Sequence, residues 1–264
     1  MVILQETGHC FYNYSMLSKS QIGFIKSLHQ KKYRKENAIF IIEGIKSIVE
    51  FIHSSYQIHS VYFLSQYQSL LPNLPANIKL FEVNNAELEK ISTLQTPQGI
   101  IALVHIPKDL VLDPNTLKNS FSIVLDGVQD PGNLGTIIRT ADWFGFKQVI
   151  CSGNTVEVYN PKTVQATMGS LSRVKVYYTD LPPFLEHCDL PIFGAVLDGT
   201  SLYTTDWGKE GLIIMGNEGQ GITPQVMNLI THPVTIPRVG AAESLNVAVS
   251  AAILCADISR NLQK

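Results

Sequence analysis

Three connectors in the second half of the chain gather the side chains able to do chemistry. In the first, the apolar run "SIVLDGV" gives way to Asp130, Pro131, Gly132, Asn133, Leu134 and Gly135, then to a helical stretch with Arg139 and Asp142. Asn133 stands where a side chain can cap a helix N-terminus. Arg139 lies on an otherwise apolar helix (Ile137, Ile138, Ala141, Phe144), where burial would demand an anion, either Asp142 or a substrate phosphate. The second connector, "LIIMGNEGQGITP" (212–224), places Gly216, Gly219 and Gly221 around Asn217 and Glu218. Its glycines permit positive φ and close backbone approach to a ligand. No Lys follows, so it is neither a phosphate loop nor the dinucleotide fingerprint, and Glu218 favours a cationic or hydroxyl-rich ligand over an anion. The third, "VTIPRVGAAESLNVAVSAAILCADISR" (234–260), sets Ser244, Leu245 and Asn246 before a helix of small residues. Either polar residue would cap that helix, which leaves the preceding Gly-Ala-Ala-Glu unexplained. No histidine occurs in the three connectors and GxSxG is absent, which disfavours a Ser-His-Asp hydrolase.

The elements that must position these loops alternate between strand and helix. Helical spacing from Ser20 to about His29 is followed by strand "AIFIIE", a helix over 44–53, strands "SVYFLS" and "IKLFEV", a helix over 86–92 and strand "IIALVHI". Downstream, strands read at "FSIVL", "QVICS", "VKVYY", "PIFGAVL", "LIIMG" and "PVTIP", with helices near 133–144, 161–169, 181–187, 224–230 and 246–261. Pro161 and Pro224 suit first helical turns, with Asn160 and Thr223 as caps. The strands are almost wholly apolar, as in a parallel sheet covered on both faces, and such sheets hold ligands beyond the carboxyl ends of their strands. The stretch "IPKDLVLDPNTLKNS" has linker composition. It divides the chain into residues 1–106, a linker over 107–119, and residues 120–264.

At 264 residues and 45% apolar content, with no apolar run near the roughly 18 residues of a membrane span, the chain reads as a soluble α/β protein large enough for two domains. "MVILQETGHC" has no features of a secretory leader, so a cytoplasmic location is expected. Cys10, Cys151, Cys188 and Cys255 show neither disulfide nor zinc-ligand spacing, so reduced thiols and no metal are expected. A net charge of −2 argues against binding nucleic acid by bulk charge. Its distribution is uneven: Lys19, Lys26, Lys31, Lys32, Arg34 and Lys35 occur with no acid before Glu36, interleaved with Phe24, His29 and Tyr33. This is either a solvated helix face or a surface for a phosphate backbone.

Taken in order, "NLGTIIRTA", "IIMGNEGQGI" and "IPRVGAAESLNVAVSAAI" resemble the three motifs of the SpoU (TrmH-like) family of RNA ribose 2′-O-methyltransferases, within the SPOUT superfamily. "IKSLHQKKYRKENAIFIIEGIKSIVE" and "TPQGIIALV" are similar to that family's substrate-binding domain, whose small α/β/α fold is shared with kink-turn-binding ribosomal proteins. The resemblance implies a trefoil-knotted parallel sheet with flanking helices, a homodimer, and S-adenosylmethionine as cofactor. Carried onto this chain, it implies cofactor contacts at Leu197, Gly216, Asn217, Ile236, Pro237 and Leu245. It implies catalytic roles for Asn133, Arg139, Glu218, Ser244 and Asn246.

Methyl transfer to a ribose hydroxyl needs alignment of the methyl group with the 2′ oxygen, loss of a proton and a fixed RNA backbone; it needs no metal. The guanidinium of Arg139 is a poor base at neutral pH. It is therefore expected to hold the adjacent phosphate and stabilise a developing alkoxide, at a site formed with the partner subunit. On this reading Lys31, Lys32, Arg34 and Lys35 become RNA backbone contacts. Ribosomal RNA is the expected substrate, because the separate N-terminal domain is similar to that of the family's rRNA-acting members. A tRNA ribose methyltransferase and a noncatalytic RNA-binding assembly factor are the alternatives. A nucleotide-dependent dehydrogenase is disfavoured by the missing fingerprint.

Overall fold

A computed structural model describes residues 12–13, 16–72, 74–75, 78–108 and 110–263. The chain forms two compact units that interleave in sequence, one of residues 1–109 with 159–172 and the other of residues 110–158 with 173–264. The division read from composition was linear and did not separate residues 159–172.

The first unit carries β1 (Tyr12–Asn13), α1 (Lys19–Ser27), α2 (Lys31–Asn37), β2 (Ile39–Glu43), α3 (Ile45–Ile52), β3 (Ile58–Phe63), β4 (Lys79–Glu82), α4 (Asn85–Ile91) and β5 (Ile100–His105). Its mixed sheet runs β1-β4-β3-β5-β2, with β5 antiparallel to both neighbours. All five residues of β2 are buried, as a strand covered on both faces requires. Ile39, Ile41, Tyr62, Phe81, Ile101 and Leu103 from the strands meet Ile25, Leu28, Leu88 and Ile91 from α1 and α4 in one core. Ser18 and Gln21 close a capping box on α1, and Asn84 and Glu87 close another on α4. The sequence reading had one helix ending near His29; the structure adds α2, which carries Lys31, Lys32, Arg34 and Lys35.

The second unit begins with β6 (Phe121–Asp126), α5 (Pro131–Trp143) and β7 (Gln148–Ser152). After α6 (Pro161–Thr167), which belongs to the first unit, come β8 (Lys175–Thr179), α7 (Leu181–Glu186), β9 (Ile192–Ser201), β10 (Gly211–Gly216), α8 (Pro224–Met227), β11 (His232–Thr235) and α9 (Val247–Leu262). Six strands pair in the order β11-β9-β10-β6-β7-β8, and every pairing is parallel. All residues of β6 and β7 are buried, and each has an apolar centre, Ile123–Leu125 and Val149–Cys151, flanked by buried polar residues. β10 lies between β9 and β6, so the chain's progress across the sheet reverses there, and the carboxyl ends of β6, β9 and β10 share one edge. Such a reversal is where α/β sheets open a crevice for ligands.

Asn160 caps α6 through Lys162 N at 2.9 Å, as expected. Thr223 is the N-cap residue of α8 but makes no side-chain cap bond; its amide donates instead to Asp126 Oδ2 at 2.7 Å. Gly145, at φ +78°, ends α5 in the left-handed region that glycine tolerates. Trp207 is buried and donates its indole N–H to Asp257 Oδ2 at 2.9 Å, anchoring α9. Cys151, Cys188 and Cys255 are free thiols, and burial pushes the Cys255 thiol up to about 12. Cys10 lies outside the described residues. Among those residues no helix is long and apolar enough to cross a membrane, and no group of three His, Cys, Asp or Glu side chains is placed to hold a metal ion.

Candidate functional site

A cavity of about 830 Å³ opens at the carboxyl edge of the second sheet. Three stretches line it: the middle of β9 with Leu197, the turn after β10, and residues 234–247 with the first turns of α9. The six residues expected at a cofactor, Leu197, Gly216, Asn217, Ile236, Pro237 and Leu245, all lie in its wall, as do Glu218, Ser244 and Asn246. Asn133 stands beside it, and Arg139 lies outside its lining.

The turn after β10 is closed by its own backbone. Asn217 N donates to Gly221 O at 2.9 Å, and Gly221 N donates to Asn217 O at 3.0 Å. Asn217 Oδ1 accepts the amides of Gly219 and Gln220 at 2.9 and 3.0 Å, while its Nδ2 donates to Gly127 O at 2.7 Å. The side chain of Asn217 therefore builds the wall and ties it to the first connector. Gly216 is required because a Cβ there would lie 2.2 Å from Gly221 C and 2.4 Å from Ile222 N.

One hydrogen-bonded chain joins the three connectors. Glu218 Oε1 accepts Asp130 N at 3.2 Å and Asn133 Nδ2 at 3.0 Å, and Oε2 accepts Gln129 N at 3.2 Å. Asn246 Nδ2 then donates to Asn133 Oδ1 at 2.9 Å. The remaining oxygen of Asn246 caps α9 by accepting Ala248 N and Val249 N at 2.9 and 3.3 Å. Asn133 is thus not the cap of α5, which was its plainest sequence reading. Asp130 holds that place, accepting Asn133 N at 2.7 Å, a cap worth about 1 kcal/mol. The signal was present in the sequence, since an Asp directly before a Pro is a strong helix start. Ser244 is exposed and makes no side-chain hydrogen bond among the described residues.

Burial alone would raise the Glu218 pKa. Hydrogen bonds from the Asn133 side chain and from the amides of Glu218 itself, Gln129 and Asp130 outweigh it and hold the carboxyl below its ordinary 4.5. A folded pKa below the unfolded one means stabilisation that is present above the unfolded value and lost as pH falls through the folded value. Denaturation midpoints of the wild type and Glu218→Gln should therefore differ by a constant amount above about pH 6 and converge through that acidic window.

Two expectations change here. Arg139 is exposed, and Asp142 is occupied elsewhere: Arg173 grips it through Nε at 3.1 Å and Nη2 at 2.8 Å. α5 buries Leu134, Ile137, Ile138 and Ala141, leaving Arg139 on the outward stripe with Trp143, which is 83% exposed. Arg34 is corrected more sharply. It was expected among the RNA contacts, yet it is 2% exposed, and its guanidinium donates to the carbonyls of Leu28 and His29, both at 2.9 Å. Lys35 follows Arg34 directly and so lies about 100° round the helix from it, while Lys31, at the first position of α2, stays exposed although it is three residues from Arg34. Lys31, Lys32 and Lys35 are exposed, with Lys32 3.9 Å from Glu36.

Comparison with known proteins gives the site a context. The profile of the SpoU rRNA Methylase family matches residues 120–256, and that of the MRM3-like substrate binding domain matches residues 19–102. The 23S rRNA (guanosine(2553)-2′-O)-methyltransferase RlmP of Bacillus subtilis is 31% identical over 87% of this chain and 92% of its own length. A solved structure from Porphyromonas gingivalis assigned to the TrmH family is 36% identical, with TM-score 0.84 over 94% of this chain and all of its own. An AdoMet-bound rRNA methyltransferase structure from Sinorhizobium meliloti is 27% identical, with TM-score 0.83 over 95% of this chain and 98% of its own.

Proposed function

The chain belongs to the SpoU rRNA methylase family and is an S-adenosylmethionine-dependent RNA ribose 2′-O-methyltransferase; from that premise we propose how its residues share the work on ribosomal RNA. The observation that carries this reading is the chain Glu218–Asn133–Asn246, which joins all three connectors beside the cavity.

The cavity suits the cofactor. Its volume holds a molecule of nucleoside size, its wall mixes main-chain polar groups with exposed Leu197 and Leu245, and Gly216 lets backbone approach where a Cβ could not fit. Bound there, S-adenosylmethionine supplies an electrophilic methyl group. The contacts proposed are Leu197, Gly216, Asn217, Ile236, Pro237 and Leu245. Both Glu218 oxygens already accept amide hydrogens, so its role is to hold the first connector against the second, as a charged acceptor that neutral groups would replace poorly. Asn133 and Asn246 fix the cavity rim against the N-termini of α5 and α9. Ser244 presents an uncommitted hydroxyl toward the ribose.

Arg139 binds the phosphate beside the target ribose and stabilises negative charge on the 2′ oxygen. Its planar donors suit both tasks. We assign it to the site of the partner subunit in a homodimer. Trp143 on its stripe and the half-exposed Val249 and Leu262 on α9 supply an apolar surface that such a dimer would cover. The knot implied by the family is supported by the insertion of β10 between β9 and β6. The first unit presents RNA and the second, residues 110–158 with 173–264, catalyses, with the cytoplasm as the place of action.

Lys31, Lys32 and Lys35 position the RNA backbone without reading sequence. Replacing all three with Gln should weaken binding to duplex-containing RNA and flatten the slope of log affinity against log salt by about two to three. Filter binding between low and moderate salt checks this, and Arg34→Gln should instead lower the melting temperature of the first unit.

The decisive assay incubates the protein with methyl-labelled S-adenosylmethionine and unmodified rRNA or tRNA, then maps the label. Label on a ribose of rRNA is expected, and label on tRNA alone would move the substrate. No transfer to either, together with no heat of cofactor binding, would leave only a noncatalytic RNA-binding role.

A further inference from the structure

The loop after β7 takes no part in the cavity, yet it holds the first connector from behind. Gly127 N donates to Ser152 Oγ at 2.8 Å and to Thr155 Oγ1 at 3.2 Å. Both hydroxyls are buried, and their two protons are shared among Asn154 Oδ1, 2.6 Å from Ser152, Leu125 O, 3.2 Å from Thr155, and each other's oxygen at 2.9 Å. Each oxygen also accepts from Gly127 N, so the two side chains hold that amide together. On the other side of that residue, Gly127 O accepts Asn217 Nδ2 at 2.7 Å. Gly127 itself sits at φ +80°, a conformation needing outside support if it is to persist as a single state.

The hold continues along the connector. Asp126 Oδ2 accepts Thr223 N at 2.7 Å, and Val128 O accepts Val156 N at 2.9 Å. Gln129 reaches back with its side-chain amide to the carbonyls of Gly127 and Asn154. Only then come the amides of Gln129 and Asp130 that meet Glu218. Freed at Gly127, those two amides would lose the geometry that lets them share one carboxylate.

We propose that Ser152 and Thr155 are positioning residues for methyl transfer, a hydroxyl fork that clamps the Gly127 peptide and so sets the Glu218–Asn133–Asn246 chain. Among the described residues they neither line the cavity nor hydrogen-bond any of the five residues proposed for catalysis, so their effect passes through the connector. This rests on the methyltransferase reading above. Displacements of about 1 Å from such remote changes cost on the order of 10²-fold in rate.

The test compares Ser152→Ala/Thr155→Val with Thr155→Ser, which keeps the hydroxyl, below the melting temperature of each. The double variant should lose on the order of 10²-fold in kcat while its cofactor dissociation constant stays within about threefold, and Thr155→Ser should stay within about twofold of wild type. Hydrogen exchange of the peptide spanning residues 127–133 should quicken in the double variant alone. Unchanged kcat and exchange would overturn the proposal. So would equal damage from Thr155→Ser, because lost packing of the methyl group would then be the cause. Wild type inactive on every RNA would instead defeat the methyltransferase reading, while exchange would still report on the clamp.

Discussion

Arg139→Ala is expected to lower methyl transfer by about 10²–10³-fold or more while leaving cofactor affinity within about twofold. The separation follows from position. Arg139 is exposed on the outward stripe of α5, outside the lining of the cavity that all six proposed cofactor contacts share. Asp142, its most obvious intrachain partner, is held by Arg173, so the side chain is not committed to an ion pair among the described residues. Radiolabel transfer under saturating cofactor and isothermal calorimetry measure the two quantities separately, and parallel loss of both would move Arg139 into the cofactor site. The same variant tests the subunit assignment. Co-expressed with a protomer unable to bind cofactor, it should restore about a quarter of wild-type activity, because random pairing makes half the dimers mixed and each mixed dimer has one complete site of two. No recovery would place Arg139 at the site of its own protomer.

Gly216→Ala supplies that protomer when cofactor is held well below its weakened dissociation constant. The added Cβ would lie 2.2 Å from Gly221 C, 2.4 Å from Ile222 N and 2.6 Å from Gly221 O. These are backbone atoms held by the paired bonds between Asn217 and Gly221, so no flexible side chain can yield. The turn must open, at a cost of about 1–3 kcal/mol for overpacking. Opening moves the cavity wall, and cofactor affinity should fall by at least about tenfold. A thermal melt with and without S-adenosylmethionine reads both effects, since bound ligand raises the midpoint only in a protein that still binds it. A variant with wild-type affinity would show that the turn does not contact the cofactor.

The alternation of strands and helices was legible because each element buries a periodic apolar set, and the apolar centres of β6 and β10 declared a sheet covered on both faces. The three connectors were legible for a related reason: Gly, Asn and Asp concentrate where the chain turns tightly. The basic run misled at one position. Lys31, Lys32 and Lys35 face solvent, but Arg34, from the same run and carrying the same charge, turns inward to the carbonyls ending α1. Composition cannot tell these apart, because which charge turns inward depends on how α2 sits against the end of α1, and no helix had been placed immediately beyond His29.

Residues 159–172 make the same point at larger scale. They look continuous with the second half of the chain, and the helix within them was expected with its cap, yet they cluster with the first unit. Tyr159 lies 4.7 Å from Phe40, ring to ring, and such a contact between distant parts of the chain leaves no local mark.

By itself, then, the sequence determined the fold class, the three loops and the residue types available for chemistry, since these depend on local periodicity and backbone freedom. Tertiary structure alone decided which of those residues meet. Glu218 and Asn133 lie 85 positions apart, and Asn133 and Asn246 lie 113 apart. Their bonds form because parallel strands deliver three carboxyl ends to one edge of a sheet, and hydrogen bonds a few ångströms long then select partners that spacing along the chain does not encode.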